Sequence, residues 1–325
     1  MSVLGSAVKV ALYDEVTYKS KNSVTNGLLA YFTECSVAAQ QNNVQPNTIS
    51  ADRSRAKPGA GNLNVEMAPE TIGFYLRHIL GAPTTTGASA PYTHTFRPKA
   101  LPTGLIVEKD WEGAGLTDKI EQFLGCRVSQ ATIAVPQEGA ATLAMQLQGA
   151  SYVIATAPID GTLADPGHNG WFAPDVSVKV GGSSATNIKS VQMTINNNLD
   201  GGRYALGSGG ERLELPEGFA DVSGQVTAIV DSTLFSAFID KAKARTDTAL
   251  EVIFTSGAGT GATAGNEKLS LKLDHALIAL ATPPITSPNG MEVTFTFTGF
   301  KSGATDKGLV AVLLSPLADT LIPAS

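Results

Sequence analysis

Histidine and cysteine are the side chains of this sequence that could bind a transition metal or act in nucleophilic and proton-transfer chemistry. The chain contains His78, His94, His168, His275, Cys35 and Cys126. These residues are spread along the chain without the short, regular spacings of metal-ligand motifs, so the sequence predicts no metal site. The histidines are interpreted as surface or hydrogen-bonded residues. The cysteines are interpreted as buried, reduced thiols of a protein made in a cytoplasm.

Two glycine-rich segments have some features of catalytic or nucleotide-binding motifs. In "LGSGG" (206–210) a leucine stands where a nucleophile elbow has its first glycine. "GAGTGATAG" (257–265) follows a predicted strand, but it is followed by another strand and not by the helix whose amide groups would bind phosphate. No motif brings a nucleophile, a base and a stabilising group together. The sequence therefore predicts a protein that is not an enzyme and that has no cofactor.

Two long polar segments carry opposite charges. Residues 45–60 contain Asp52 beside Arg53, Arg55 and Lys57. Residues 199–223 contain, between 211 and 221, Glu211, Glu214, Glu217 and Asp221 against Arg212. The basic residues, spaced two apart, could touch phosphate, but such a cluster in a loop more often faces solvent or protein. Polar loops of this length within a compact domain are usually functional or are ordered by a partner.

The composition is that of a folded, strand-rich protein. Over 325 residues, 43% are hydrophobic and 33 are glycine, which argues against disorder and favours many turns. A net charge of -6 disfavours a protein that grips nucleic acid through a basic face. The first residues lack a basic leader, and no apolar run is long enough to cross a bilayer, so we expect neither a secretion signal nor a membrane span.

One pattern of elements occurs twice. "GNLNVEMAPETIGFYLRHIL" (61–80) and "GQVTAIVDSTLFSAFIDKA" (224–242) each contain a glycine, an alternating strand and an amphipathic helix. Gly61 and Gly224 lie 163 positions apart, and the same offset aligns the apolar residues of both the strand and the helix. The pattern predicts helices over 69–80 and 232–243. The second helix would bury Phe235, Phe238, Ile239 and Ala242.

Further strands and a hairpin follow each helix. "YTHTF" (92–96) is predicted to correspond to "LEVIF" (250–254), and "GLIVEKD" (104–110) to "KLSLKLD" (268–274). A hairpin then pairs "ATIAV" with "TLAMQLQG" in the first copy and "ALIAL" with "VTFTFTG" in the second, and an offset of 150 aligns Leu143, Met145 and Leu147 with Val293, Phe295 and Phe297. Residues 157–175, rich in Pro, Gly and Asp, are interpreted as a linker. We therefore predict one domain over 1–165 and a second over 166–325.

This order of elements resembles the tail tube proteins of long-tailed bacteriophages (siphophages). The likeness is carried by "KSVQMTINNNLD" (189–200), by residues 50–83 and by "NGMEVTFTFTG" (289–299), and it extends from about residue 25 to 302. It implies a mainly-β fold, a β-sandwich or barrel with one flanking α-helix per domain, in two tandem copies of the tail-tube fold.

The resemblance also implies a structural role in the virion. Such proteins form rings of six-fold symmetry that stack into a hollow tube for DNA ejection. If each copy fills one position, three chains close a pseudo-six-fold ring. Implied partners are further copies of the chain and other tail proteins (terminator, tape measure and distal tail), while DNA passes through the lumen without specific binding. The implied location is the phage tail, with no membrane contact.

Within such a ring, the two charged segments become candidate contacts between rings. Arg53, Arg55 and Lys57 would alternate around the ring with Glu211, Glu214 and Glu217, and this alternation could set the rotation of the next ring.

Other functions remain open from the sequence. The nearest is another tail or capsid component, such as a terminator, hub or decoration protein, which would form a closed ring or cap without stacking. A second is an adhesin or carbohydrate-binding module, for which Trp111 and Trp171 are the aromatic candidates, although both are expected to pin loops. An enzyme is the third alternative.

Overall fold

The computed structural model describes residues 5–22, 24, 27–44, 53–163, 165–206, 208–231, 234–283, 285, 291–301 and 308–319. The predicted mainly-β fold is confirmed. Among the described residues, no helix is long and apolar enough to cross a membrane.

The described part of the first half contains eleven strands and one α-helix. The strands are β1 (Lys9–Asp14), β2 (Leu28–Leu29), β3 (Phe32–Cys35), β4 (Ala38–Val44), β5 (Arg53–Glu66), β6 (Thr84–Thr86), β7 (Tyr92–Phe96), β8 (Leu105–Asp110), β9 (Ile120–Val135), β10 (Thr142–Gln148) and β11 (Ser151–Ala155). Helix α1 (Pro69–Leu80) follows β5, and short 3-10 turns lie at Gly5–Ala7 and Glu112–Ala114.

The second half begins with a 3-10 turn, Ala173–Asp175. Its strands are β12 (Val176–Val180), β13 (Ser183–Ala185), β14 (Ile188–Asn196), β15 (Asp221–Ile229), β16 (Thr248–Thr255), β17 (Lys268–Ile278), β18 (Glu292–Gly299) and β19 (Leu309–Ser315). A π-helical segment, Phe235–Ile239, leads directly into the short helix α2 (Asp240–Ala244).

Corresponding strands of the two halves have corresponding neighbours. In the first half, β1 lies between β2 and β8, β8 pairs with β9, and β9 pairs with both β11 and β10. In the second half, β12 lies between β13 and β16, β16 pairs with β17, and β17 pairs with both β19 and β18. Strand β10 then pairs with β5 as β18 pairs with β15. All these pairings are antiparallel.

The register of the strands agrees with the offsets seen in the sequence. Leu147 lies opposite Gly61 in the first half, and Phe297 lies opposite Gly224 in the second. The offsets are therefore 224 − 61 = 163 and 297 − 147 = 150, as the pattern predicts. Irregularities recur at matching places, between Leu105 and Val107 in β8 and between Thr248 and Leu250 in β16. β-bulges of this kind change the twist of a strand and are structural features in their own right.

Two strand correspondences predicted from the sequence are wrong. "GLIVEKD" forms β8, whereas "KLSLKLD" lies in β17, whose place in the pairing order is that of β9. "YTHTF" forms β7, which pairs with β6 and, across the two halves, with β19. "LEVIF" lies in β16, whose place in the pairing order is that of β8. The hairpin β6–β7 is thus an addition to the first half. Both strands have similar apolar alternation, and alternation alone does not distinguish one strand from its neighbour.

Helix α1 has the predicted bounds. Pro69 occupies its first turn, where its missing N–H leaves no unpaired donor, and Gly81 ends it with φ 98 and an N–H bonded to the Arg77 carbonyl. In the second helix Phe235 is 52% exposed, so its predicted burial is wrong. Leu234 is buried instead, together with Phe238, Ile239 and Ala242. The π-helical turn is wider than an α-turn and rotates the apolar face by about one residue.

Candidate assembly surfaces

Arg53, Arg55 and Lys57 lie in strand β5 and not in a loop. Their backbone positions are opposite Val44, Asn42 and Gln40 of β4, respectively, so residues 53–60 of the predicted polar excursion form a strand, while residues 45–52, including Asp52, lie outside the described residues. The sequence signal for a loop was the polarity of the segment. A hairpin arm that has little core to cover can be polar on both faces, and it then lacks the apolar alternation by which strands are recognised.

Glu211, Glu214 and Glu217 each pair with a cation of the same chain. Their carboxylate oxygens lie 3.3 Å from Lys19 Nζ, 2.8 Å from Arg203 Nη1 and 2.6 Å from Arg127 Nη1, respectively. Lys19 and Arg127 belong to the first half. The Arg212 guanidinium also donates to the Gly149 carbonyl at 2.6 Å. The acidic segment is therefore folded against the first half, and a facing ring would have to compete with these ion pairs.

The same segment exposes large apolar side chains. Phe219 is 94% exposed, and Leu206 and Leu213 are also exposed. Apolar side chains that are held in a polar segment without cover are typical of contact surfaces. Sequence reasoning followed the charges of this segment and missed these residues.

Two strand pairings join the halves. Strand β9 pairs with β14 from Val135 opposite Val191 to Gln130 opposite Asn196, and β7 pairs with β19. A continuous antiparallel surface results, in the order β4, β5, β10, β9, β14, β15, β18 and β17. The buried Asn197 amide donates to the carbonyls of Ile79 and Val128, both at 3.0 Å, and fixes the start of the acidic segment to the first half.

One face of this surface carries mostly neutral polar side chains, with the carboxylates of Glu34 and Glu292 at its margins. Its central row runs through Asn64, Ala144, Thr132, Thr194, Ser223 and Thr298, and the next row contains Ala134, Gln192, Gln225 and Thr296. Neighbouring side chains bond to each other, as in the 3.2 Å contact between the Thr132 and Thr194 hydroxyls and the 2.8 Å bond from Gln225 to Gln192. The opposite face supplies the apolar core, including Leu63, Met145, Met193 and Phe295.

The two ends of this surface are unpaired strand edges. At one end, β3 and β4 pair with β5 alone among the described strands. At the other end, the chain beyond Ile278 bonds to β18 through the Ala279 amide and the Thr296 carbonyl, and no described strand covers its other side. Leu280 is 57% exposed and Ile285 is 87% exposed. Such edges can accept a strand from another chain.

Each histidine has a structural partner. His94 bonds to the Thr85 hydroxyl at 2.8 Å and to the Leu317 carbonyl at 2.9 Å, and His78 lies 2.6 Å from Asp14. His168 contacts Glu66 at 2.9 Å, and His275 contacts Asp247. In the part of the chain that the structure describes, no cluster of His, Cys, Asp and Glu could hold a metal ion.

Buried carboxylates in the first half are bonded to structural donors. Glu108 accepts from the Gln122 amide at 2.7 Å, the Ile159 N–H at 3.0 Å and the Tyr13 hydroxyl at 3.2 Å. Burial raises its pKa. Burial likewise raises the pKa of Glu15 to about 7, although its carboxylate accepts from the backbone N–H groups of Gly125 and Lys19. Both groups hold loops in place through these bonds.

Comparison with known proteins agrees with this architecture. The family described as phage tail tube protein matches residues 5–299, nearly the whole chain. No curated protein sequence matches. Proteins of this family are structural components of the phage tail and are not enzymes. A mainly-β chain with unpaired edges among its described strands fits that role, and the family match over most of its length shows that this chain belongs to the phage tail tube protein family.

Proposed function

We propose that this chain is the major tail tube subunit of a long-tailed phage, built from two tail-tube-like domains over residues 1–165 and 166–325. The matching strand neighbours, registers and bulges of the two halves support this division. The subunit would be made in the host cytoplasm and assembled into the virion tail. A terminator, hub or decoration protein is less well supported, since no observation on this chain favours a closing or capping role.

The ring can be built by repeating the β9–β14 pairing, which joins the two halves of one chain, between neighbouring chains. Ile188 lies opposite Ala228 in the second half, as Phe32 lies opposite Val65 in the first, so Ile188 and Phe32 are equivalent and the offset of this strand is 188 − 32 = 156. By this offset Val191 of β14 corresponds to Cys35. Val128 lies opposite Leu147 as Ile278 lies opposite Phe297, and extending this offset of 150 along the edge gives Ile285 the position of Val135. Because Val191 lies opposite Val135, Cys35 of one copy would lie opposite Ile285 of the next. Three copies joined in this way close a pseudo-six-fold ring.

The junction between chains would be shorter than the junction within the chain. By the same extended offset Pro283 would take the place of Ile133, and the sequence continues with a second proline; proline has no N–H to donate to a neighbouring strand. Proline on an exposed edge also limits uncontrolled strand addition. This arrangement suits a subunit that must stay soluble before it assembles.

The neutral polar face would line the lumen and face the DNA. Amides and hydroxyls that already bond to each other offer the phosphate backbone neither fixed cations that would hold it nor a strong repulsive field. DNA could then pass without specific binding. The observation that carries the whole proposal is the continuous surface with an unpaired edge at each end, in a chain of the tail tube family.

A disulfide between neighbouring copies tests this junction. We expect Ile285→Cys to form an inter-chain disulfide with the native Cys35 under mild oxidation, because opposite residues of paired strands lie within disulfide range. Non-reducing electrophoresis should show covalent trimers, and negative-stain electron microscopy should show rings and tubes. The matched control, Val135→Cys with Val191→Cys and Cys35→Ser, should crosslink within one chain. Cross-linked hexamers would contradict three chains per ring, and unlinked monomers beside visible rings would contradict this register.

A further inference from the structure

Residues 169–173, called here the strap, join the two halves by lying across the first. The Trp171 N–H donates to the Met67 carbonyl at 2.9 Å, and the Trp171 carbonyl accepts from the Ala141 N–H at 2.7 Å. The indole packs on Phe254 with ring centroids 5.3 Å apart and donates to the Ser256 hydroxyl at 2.8 Å. The strap thus completes the end of the β5–β10 pair of the first half while it anchors itself to the second.

Residues 1–5 are the counterpart of the strap at the start of the first half. Val107 and Leu250 are equivalent, because each follows the irregularity of its strand. Leu12 lies opposite Val107, and Val180 lies opposite Leu250, so Leu12 and Val180 are equivalent and the offset is 180 − 12 = 168. The same offset aligns the 3-10 turn Gly5–Ala7 with the turn Ala173–Asp175. It aligns Val3 with Trp171. Residues 1–4 themselves lie outside the described residues.

The second half has a site equivalent to the one that the strap fills. The Val230 N–H donates to the Met291 carbonyl at 2.9 Å, as the Met67 N–H donates to the Ala141 carbonyl at 2.8 Å. Among the described residues, none bonds to the Val230 carbonyl or to the Met291 N–H, the groups equivalent to those that bind Trp171. Ile229 beside them is 48% exposed. The site therefore offers an acceptor, a donor and an apolar side chain to an extended segment.

We infer that residues 1–4 of one copy dock on this site of the neighbouring copy. The equivalent site on their own first half is filled by their own strap, and in the proposed ring the start of each chain lies beside the second half of a neighbouring copy. Val3 would donate to Val230 and accept from Met291, and the apolar Leu4 and Met1 would flank it. This inference rests on the proposed ring, in which the junction within the chain is repeated between chains.

Two variants at one position separate docking from side-chain packing. Val3→Pro removes the N–H that would bond to Val230, whereas Val3→Ala keeps it and shortens the side chain. We expect Val3→Pro to raise the protein concentration needed for ring formation by about tenfold, the size of effect that the loss of a backbone hydrogen bond predicts. Val3→Ala should have a smaller effect. Equal assembly of Val3→Pro and wild type would overturn the inference.

A cysteine pair tests the position directly. In a Cys35→Ser background, Val3→Cys with Met291→Cys should give inter-chain disulfides on oxidation, because the equivalent residues Trp171 and Ala141 lie opposite each other. Electron microscopy of the same sample separates the two proposals. Rings without cross-links would overturn docking and leave the ring intact, whereas the absence of rings in both this sample and wild type would overturn the proposed function. A disulfide within single monomers would also overturn docking between copies.

Discussion

At the scale of single residues, the first half of this protein is organised around buried polar groups. Glu15 accepts from the N–H of Gly125 at 2.6 Å and from the N–H of Lys19 at 3.1 Å, and it is 5% exposed. The Glu108 carboxylate likewise accepts a hydrogen bond from the N–H of Ile159. Buried carboxylates often indicate catalysis, but here each one satisfies backbone donors of a loop that passes over the sheet.

The Glu15 carboxyl predicts a pH dependence of stability. Burial raises its pKa from 4.5 to about 7, so the folded state binds more protons than the unfolded state between these values. Stability contributed by this group is therefore present below pH 4.5 and is lost as the pH rises through 7, by an amount on the order of 3 kcal/mol. Glu15→Gln removes the titration.

The measurement is urea unfolding of both proteins between pH 4.5 and 8. We expect the stability of wild type to fall relative to that of Glu15→Gln as the pH rises, whatever the absolute difference at any one pH. Two stability curves that stay parallel across this range would show that Glu15 does not titrate there.

At the scale of elements, the neutral polar face is the feature that bears most on DNA passage. Its rows cross the β9–β14 junction without interruption, so they belong to the joined sheet and to neither half alone. Thr227 and Thr294 bond at 2.9 Å in the second half, as Thr132 and Thr194 bond across the junction. Paired side chains of this kind stabilise the sheet and leave few free donors for a passing ligand.

Lysines on this face should convert a passive lining into a DNA-binding one. We expect tubes that carry Thr194→Lys and Thr296→Lys to bind duplex DNA at least about tenfold more tightly than wild type at low salt, because each lysine can neutralise a phosphate. Wild type should bind no more tightly than an acidic control protein at physiological salt. Fluorescence anisotropy with varied salt measures both.

The matched control for this test is Ser177→Lys, which adds a lysine at an exposed position of β12, outside the neutral rows. Its DNA affinity should remain close to that of wild type. If it binds DNA as tightly as the double variant, net charge and not the position of the lysines explains the gain.

At the scale of the whole molecule, the two charged segments have different structures. The basic one is part of the β4–β5 hairpin, and the acidic one is folded against the first half through Lys19 and Arg127. The alternation of charge around a ring stays a prediction. Because the acidic side chains already have partners, and because exposed ion pairs are each worth only about 0.2–1 kcal/mol, the attraction between rings must be a sum of weak terms.

Charge reversal of the basic segment tests the stacking of rings. We expect the triple variant Arg53→Glu, Arg55→Glu and Lys57→Glu to remain folded and to form rings but not tubes at low salt, with compensating positive substitutions in the facing surface of the next ring restoring tubes. High salt should weaken the difference between variant and wild type, because it screens exposed charges. Tubes of normal length from the triple variant at low salt, measured by electron microscopy, would contradict this prediction.

The sequence by itself determined the local elements of this protein and the repeated pattern. Helix α1, the closing hairpins and the offsets of 163 and 150 could be read because apolar periodicity is a local property of the chain. The family followed from the order of these elements and is confirmed by the match over residues 5–299.

Only the tertiary structure decided which strands are neighbours across the two halves. The pairing of β9 with β14 and of β7 with β19, the bonds of the strap, and the ion pairs of the acidic segment join residues far apart in the chain. Such contacts depend on backbone hydrogen bonds that any residue except proline can make, so residue types do not reveal them. For the same reason the unpaired edges, which are the basis of the proposed ring, could not be located from the sequence.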